Sequence, residues 1–240
     1  MLFLKPPQVI FFDAVGTIFT VRDSVGAAYG KVTAEFGVII DPDRVNQAFY
    51  GCFKATDRMA FPDVPEAEIP ELEYQWWYRL AQETFRASGD LDKFRDFGSF
   101  FKRLYAYFQS AAPWEVYPDT IPALEYWRSQ GTKLAVLSNF DHRLYPVLAA
   151  LGLAPYFDAV FISTKLGAAK PEPQIFEYGL RHYHLHANPD RVWHIGDSLR
   201  EDYQGAKALG INALWLNRSR EVITDPTVTM LHSLAELHTC

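Results

Sequence analysis

Val9-Ile10-Phe11-Phe12-Asp13-Ala14-Val15-Gly16-Thr17 is the stretch from which the fold is read. Four apolar residues in succession, β-branched and aromatic, predict a strand buried on both faces, the mark of a parallel sheet. The strand stops on a carboxylate and then on Gly-Thr. Open α/β sheets bind their ligands outside the carboxyl ends of the strands, so Asp13 stands where a functional acid belongs. Alone, an Asp after a strand is equally a turn or cap residue. Its meaning depends on what other strands bring to the same edge.

The C-terminal half supplies those strands. Lys133 to Leu137, Ala159 to Ile162, Arg191 to Ile195 and Ile211 to Leu216 each read as a buried strand. Helices alternate with them: one capped by Asp119 and ended at Gln130-Gly131, one from about His142 to Leu151, one from Lys170-Pro171-Glu172-Pro173 to His182, and one carrying Ala206 and Leu209 up to Gly210. This alternation predicts an α/β fold, a Rossmann-like parallel sheet with right-handed crossovers.

Between strand one and this half the pattern is helical. Asp23 or Ser24 can cap a helix to Phe36, and Asp41-Pro42 opens another with Val45, Phe49, Cys52 and Phe53 on one face. A Pro-rich break from Phe61 to Pro70 precedes a long helix to about Gly89, and a fourth runs from about Phe94 to Ser110. The expected organisation is a core of residues 1–17 and 112–240 with a helical domain, 18–111, inserted after strand one. Tyr74, Trp76, Trp77, Tyr78, Phe85, Phe97, Phe100, Phe101, Tyr105 and Phe108 read as the packing of a small bundle, with at most a few rings facing a pocket.

Composition narrows the class. With 240 residues, 49% hydrophobic, 22% charged and a net charge of −6, the chain reads as a soluble globular protein. The negative charge and the lack of a Lys/Arg run argue against nucleic acid as a partner. No stretch reads as a membrane span or a cleaved leader. Cys52 and Cys240 are far apart with no metal-type spacing, which fits a cytoplasmic location without a structural disulfide.

Polar groups converge at the strand ends. Asp13 follows strand one, Ser138 and Asn139 strand two, Asp197 strand four, with Asp202 a turn beyond and Lys170 on the loop after strand three. Three carboxylates supply hard oxygen ligands and excess negative charge suited to Mg2+. A hydroxyl, an amide, a lysine and a helix start are donors for a phosphoryl group.

Asp13 to Thr17, Ser138-Asn139, Lys170-Pro171 and Gly196-Asp197-Ser198 through Asp202, Gly205 and Ala206 resemble the four ordered motifs of the haloacid dehalogenase-like superfamily. The helical insertion resembles the cap of its subfamily I, and the group of haloacid dehalogenase-like hydrolase domain-containing proteins looks most similar. The resemblance implies a Mg2+-dependent hydrolase acting on a small phosphorylated substrate. It implies that Asp13 is the nucleophile, forming an aspartyl-phosphate. Ser138, with Asn139 beside it, holds a phosphoryl oxygen, and Lys170 neutralises nucleophile and phosphate. Asp13, the main-chain carbonyl of Val15 and Asp197 are implied metal ligands, with Asp202 supporting the metal shell or the lysine.

Val15 departs from that pattern. Phosphatases of the family usually carry a second Asp there, which protonates the leaving oxygen and then activates water. Losing a general acid–base costs on the order of 10²–10⁴ in rate, so activity on ordinary phosphoesters is expected to be weak. Three repairs are open: a good leaving group, such as an aryl or acyl phosphate; a proton from a cap residue or the substrate; or abandonment of catalysis for binding of a phosphorylated metabolite or protein partner. A metal-independent 2-haloacid dehalogenase also lacks the second Asp, and Arg22 could be cast as its carboxylate binder. Asp197 and Asp202 argue against it. A carbon–phosphorus hydrolase would need a cap lysine, for which Lys31 and Lys54 qualify by location.

Other residues read as structural. His194 is a packed, hydrogen-bonded strand residue, Asp141 a helix cap or acid–base substitute, and Arg143 the partner of a neighbouring acid. His182, His184 and His186 read as surface.

Overall fold

The computed structural model describes residues 6–239. Cys240 lies outside them, as do residues 1–5; Cys52 is a free thiol. In chain order the elements are β1 (Val9–Phe12), β2 (Phe19–Val21), α1 (Val25–Glu35), α2 (Pro42–Ala55), α3 (Ile69–Ala87), α4 (Phe97–Tyr107), β3 (Trp114–Val116), α5 (Thr120–Ser129), β4 (Lys133–Ser138), α6 (Leu144–Ala150), β5 (Ala159–Ile162), α7 (Ser163–Leu166), α8 (Pro173–His182), β6 (Val192–Gly196), a π-helical stretch (Leu199–Gln204) running into α9 (Gly205–Lys207), β7 (Asn212–Leu216) and β8 (Met230–Leu231).

Six strands form one sheet in the order β5-β4-β1-β6-β7-β8, every pair parallel. The expected α/β Rossmann-like architecture is therefore the observed one. All four residues of β1 are buried because the strand is central and covered on both faces. Ile10 and Phe12 enter one apolar cluster with Leu134, Val136 and Leu148. Val9 and Phe11 enter the opposite one with Ala135, Phe176 and Ala206. The period of two along the strand thus feeds two helical layers.

The helices between β2 and β3 form a core of their own, in which Tyr29, Val45, Leu80, Phe85, Phe100 and Phe101 are buried. Each helix starts where its sequence allows. Ser24, not Asp23, caps α1, its side chain accepting from Ala27 N at 3.0 Å. Asp41 caps α2 with Pro42 in the first turn, and Asp96 caps α4 through Ser99 N at 3.0 Å.

Three local expectations are corrected. The chain does not turn helical directly after Thr17: β2 pairs antiparallel with β3, a ribbon through which it leaves and re-enters the sheet region. β8 adds a short edge strand. The Asp119 carboxylate makes no cap bond to α5. It pairs instead with Arg218 at 2.9 Å and accepts from Ser233 Oγ and Leu234 N, since a charged guanidinium is a stronger partner than a helix amide. No helix among the described residues is long and apolar enough to cross a membrane.

Candidate active site

The topology puts the ends of β1, β4 and β6 side by side, and with them Asp13, Ser138 and the Gly196–Asp202 turn. Ser138 Oγ donates to Asp13 Oδ1 at 2.9 Å, and Lys170 Nζ donates to the same oxygen at 2.6 Å. Lys170 also reaches Asp202 Oδ1 at 2.5 Å. One ammonium, 2% exposed, thus bridges two buried carboxylates.

Asn139 fixes that lysine by its main chain. Its Oδ1 accepts from Lys170 N at 2.7 Å and its Nδ2 donates to Lys170 O at 3.0 Å and to Glu201 at 3.1 Å. With both ends of the amide so engaged, Asn139 positions the loop that carries Lys170. Asp202 is held from three sides, by Lys170, by Ser198 N at 3.0 Å and by His194 Nε2 at 2.8 Å. Gly196 makes this approach sterically feasible, since a Cβ there would fall 2.0 Å from Asp202 Cγ.

Asp197 lacks such partners. Trp215 Nε1 holds its main-chain carbonyl at 2.8 Å, while its side chain is exposed to the cleft. Desolvation by the walls around it, and then the charges of Asp13 and Asp202, push its pKa up to about 8. Asp202 is shifted the opposite way: burial opposes its ionisation, but the Lys170 charge and the His194 bond hold it well below the usual carboxylate range. Burial works against the Lys170 ammonium and is outweighed by Asp13 and Asp202, so Lys170 stays protonated. His194 is fully buried, and its pKa is lowered by that burial. It is the packed, hydrogen-bonded histidine its place in β6 suggested.

The donor set fits a divalent cation. Ligand oxygens of Asp13, Asp197 and Asp202 all lie within 4.8 Å of one another, and one lysine cannot neutralise three carboxylates. Gly16, at φ +89°, leaves open a space in which a Cβ would meet Asp197 Oδ2 at 2.3 Å. The Val15 carbonyl, on the same turn, accepts no hydrogen bond among the described residues. Hard oxygens in this number suit Mg2+.

A cavity of about 1200 Å³ opens from this edge into the helical insertion. Val15 lines it while packing against the sheet core. More rings face it than the sequence suggested: Phe49, Phe53, Trp76, Trp77, Phe101, Tyr105 and Phe108 all contribute. The helices are tied to the strand ends by buried polar contacts. Trp77 Nε1 donates to Asp141 at 2.5 Å, Glu73 accepts from His142 N at 3.2 Å, and Ser163 Oγ donates to Met59 O at 2.7 Å.

The remaining candidates fall as follows. Asp141 accepts from Arg143 N, Nε and Nη2 as well as Trp77, so it is a buried ion-pair partner with no role left as an acid–base substitute. Arg143 pairs with that acid, as expected, but it also lines the cavity, which its sequence neighbourhood did not announce. His142 sits against Glu73 at 2.7 Å, outside the cavity lining. Arg22 donates to Trp114 O at 3.2 Å, away from the cavity. Lys31 is paired with Asp23, whereas Lys54 is exposed and borders the cavity. His182 packs on Phe161, and His186 lines a separate cleft of about 410 Å³.

Known proteins match along nearly the whole chain. A family model described as haloacid dehalogenase-like hydrolase matches residues 7–210. The haloacid dehalogenase-like hydrolase domain-containing protein 3 of Bos taurus is 34% identical, over 86% of this chain and 80% of its own length. Among solved structures, a HAD phosphatase from Thermococcus onnurineus is 28% identical with a TM-score of 0.62, covering 97% of this chain and 96% of that one. The putative HAD-hydrolase YfnB of Bacillus subtilis, bound to magnesium, shares the fold at 20% identity and a TM-score of 0.71, over 98% of both chains. A dehalogenase structure does so at 21% identity and 0.68, over 99% and 98%, so the fold does not separate the two chemistries. With its sheet order, its strand-end acids and a family model spanning residues 7–210, the chain belongs to the haloacid dehalogenase-like hydrolases.

Proposed function

We propose that the chain is a Mg2+-dependent phosphatase in which Asp13 is the nucleophile. The observation that carries this reading is Lys170 bridging Asp13 and Asp202 while Asp197, beside them, has no cation of its own. A metal-independent dehalogenase has no use for that third carboxylate, and Arg22, its expected carboxylate binder, is bonded elsewhere.

An Asp13 carboxylate oxygen attacks phosphorus, the bond to the leaving oxygen breaks, and the leaving group departs with the electron pair. Ser138 and Lys170 orient the nucleophile before attack and hold the phosphoryl oxygens after it. Water then attacks the aspartyl-phosphate, the bond to Asp13 breaks, and the proton leaves with inorganic phosphate. Asp13, Asp197 and the Val15 carbonyl would hold Mg2+, which would supply compensation for phosphoryl charge. Val15 gives no proton to the leaving group, so substrates with good leaving groups react and simple alkyl esters are slow. The inserted helices act as a cap that encloses the substrate and excludes water.

The test is hydrolysis of acetyl phosphate and 4-nitrophenyl phosphate. Turnover that needs Mg2+ and vanishes in Asp13→Asn supports the reading. If no phosphorylated compound in a broad panel turns over while vanadate still binds, the alternative holds: an impaired member that binds a phosphorylated metabolite or protein partner, the reading Val15 favours. Halide release from 2-haloacids without metal overturns both.

A further inference from the structure

We propose that Arg143, with the hydroxyls of Tyr29 and Tyr105, forms a second polar subsite in the cavity that takes the carboxylate of an aryl phosphate. The inference rests on the phosphatase reading of Asp13 and names its substrate class.

The guanidinium of Arg143 is held firmly on one side only, by Asp141. It is 5% exposed and lies between two rings, 4.5 Å from the centroid of Trp77 and 4.2 Å from that of Tyr105. Asp141 takes Nε and Nη2. Among the described residues nothing accepts from Nη1, and Arg143 borders the same cavity as Asp13. The ion pair and the stacking fix one side of the fork and leave the other facing open space. An arginine has five donors in a rigid plane, so the end away from Asp141 can donate to a ligand in the cavity.

Two further groups point the same way. Tyr29 is 3% exposed and Tyr105 half-buried, both line the cavity, and neither hydroxyl hydrogen-bonds with a described residue. Burial raises the pKa of both phenols, so each stays a protonated donor; the Arg143 charge opposes the shift at both, and at Tyr105 the Asp141 charge adds to it. A guanidinium with one free end and two unpartnered phenols is a donor set for an anionic oxygen pair, and a carboxylate matches the fork in shape and charge.

The walls and the missing acid specify the rest. Phe49, Phe53, Phe101 and Phe108 make the lining aromatic, which suits a flat apolar body. Valine at position 15 leaves the leaving group to depart unprotonated. A phenolate, whose conjugate acid has a pKa of about 10, does so far more readily than an alkoxide. In the step proposed, Asp13 bonds to phosphorus, the aryl oxygen–phosphorus bond breaks, and the carboxylate-bearing phenolate leaves with the electron pair.

The experiment compares 4-carboxyphenyl phosphate with phenyl phosphate. The carboxylate is expected to raise kcat/KM by roughly 10- to 100-fold, the range of a hydrogen bond to a charged group. The double variant Tyr29→Phe/Tyr105→Phe keeps both rings and should erase most of that ratio. Arg143→Lys, which keeps a cation beside Asp141, should lower the ratio as well. If phenyl phosphate turns over and the wild-type ratio is near one, the subsite is overturned and the phosphatase reading stands. If no aryl phosphate turns over, the aryl substrate class is overturned, acetyl phosphate decides the phosphatase reading, and the anion subsite is judged from benzoate binding followed by tryptophan fluorescence. A response that is lost in Arg143→Lys upholds it, and no response in the wild type overturns it.

Discussion

Gly16 packs so closely on Asp197 that a Cβ at position 16 would lie 2.3 Å from the Asp197 Oδ2. The backbone there also has φ +89°, which an L side chain rarely adopts. Gly16→Ala is therefore expected to cost about 1–3 kcal/mol in strain and to push the Asp197 carboxylate out of place. Thermal unfolding with and without Mg2+ checks this: the variant should melt lower and show little Mg2+-dependent rise. An unchanged Mg2+ response would mean that Asp197 does not hold the metal in this position.

The raised pKa of Asp197 has a pH consequence with a definite sign. Its folded value of about 8 lies above the usual 3.8, so between these pH values the metal-free folded state binds more protons than the unfolded one. Metal-free stability is then greatest near pH 4 as far as Asp197 is concerned, and falls as pH rises towards 8. Mg2+ should reverse the trend by favouring the ionised carboxylate. Urea unfolding at pH 6 and 8, in EDTA and in Mg2+, reads this directly. In Asp197→Asn the fall over that interval should shrink and the Mg2+ gain should disappear.

Val15 faces the cavity on the turn that follows the nucleophile. Under the phosphatase reading, Val15→Asp supplies the missing acid–base and should raise kcat on alkyl phosphoesters, by up to the order of 10²–10⁴ if the geometry is suitable. Aryl phosphates, which need the proton less, should gain little. Steady-state kinetics on both classes distinguishes a missing acid from a displaced site.

Trp77 of α3 donates to Asp141, which follows β4 and is fully buried. Trp77→Phe keeps an aromatic ring, though a smaller one, and deletes the donor. It should cost about 1–3 kcal/mol, the range for a hydrogen bond to a charged group. It should also raise KM more than it lowers kcat, because the contact sets how the helices sit over the cavity. Denaturant unfolding and limited proteolysis within residues 56–68 would show the loosening. Equal protection in variant and wild type would assign the contact no such role.

Much of this protein could be read from its chain because the signals are local. Val9 to Phe12 reads as a doubly buried strand from four side chains, and the polar residues after each strand must share one edge once the sheet is parallel. That is why Asp13, Ser138, Lys170, Asp197 and Asp202 belong to one edge by their place in the chain and lie together in the structure. β2 and β8, three and two residues long, are too short to carry a period. Asp119 had the local form of a helix cap, and only the arrival of Arg218, 99 residues away, changed its partner.

By itself, then, the sequence determined the α/β class, the edge at which chemistry is placed and the absence of an acid at position 15. Each follows from residue type and short-range spacing. Only the tertiary structure decided which rings of the helical segment face the cavity. It also set the ion pair that engages Asp141 and the placing of Tyr29, Tyr105 and Arg143 along one cavity. Those side chains come from α1, α4 and the loop before α6. Their juxtaposition depends on how the helices pack over the sheet, which no periodicity within one segment encodes.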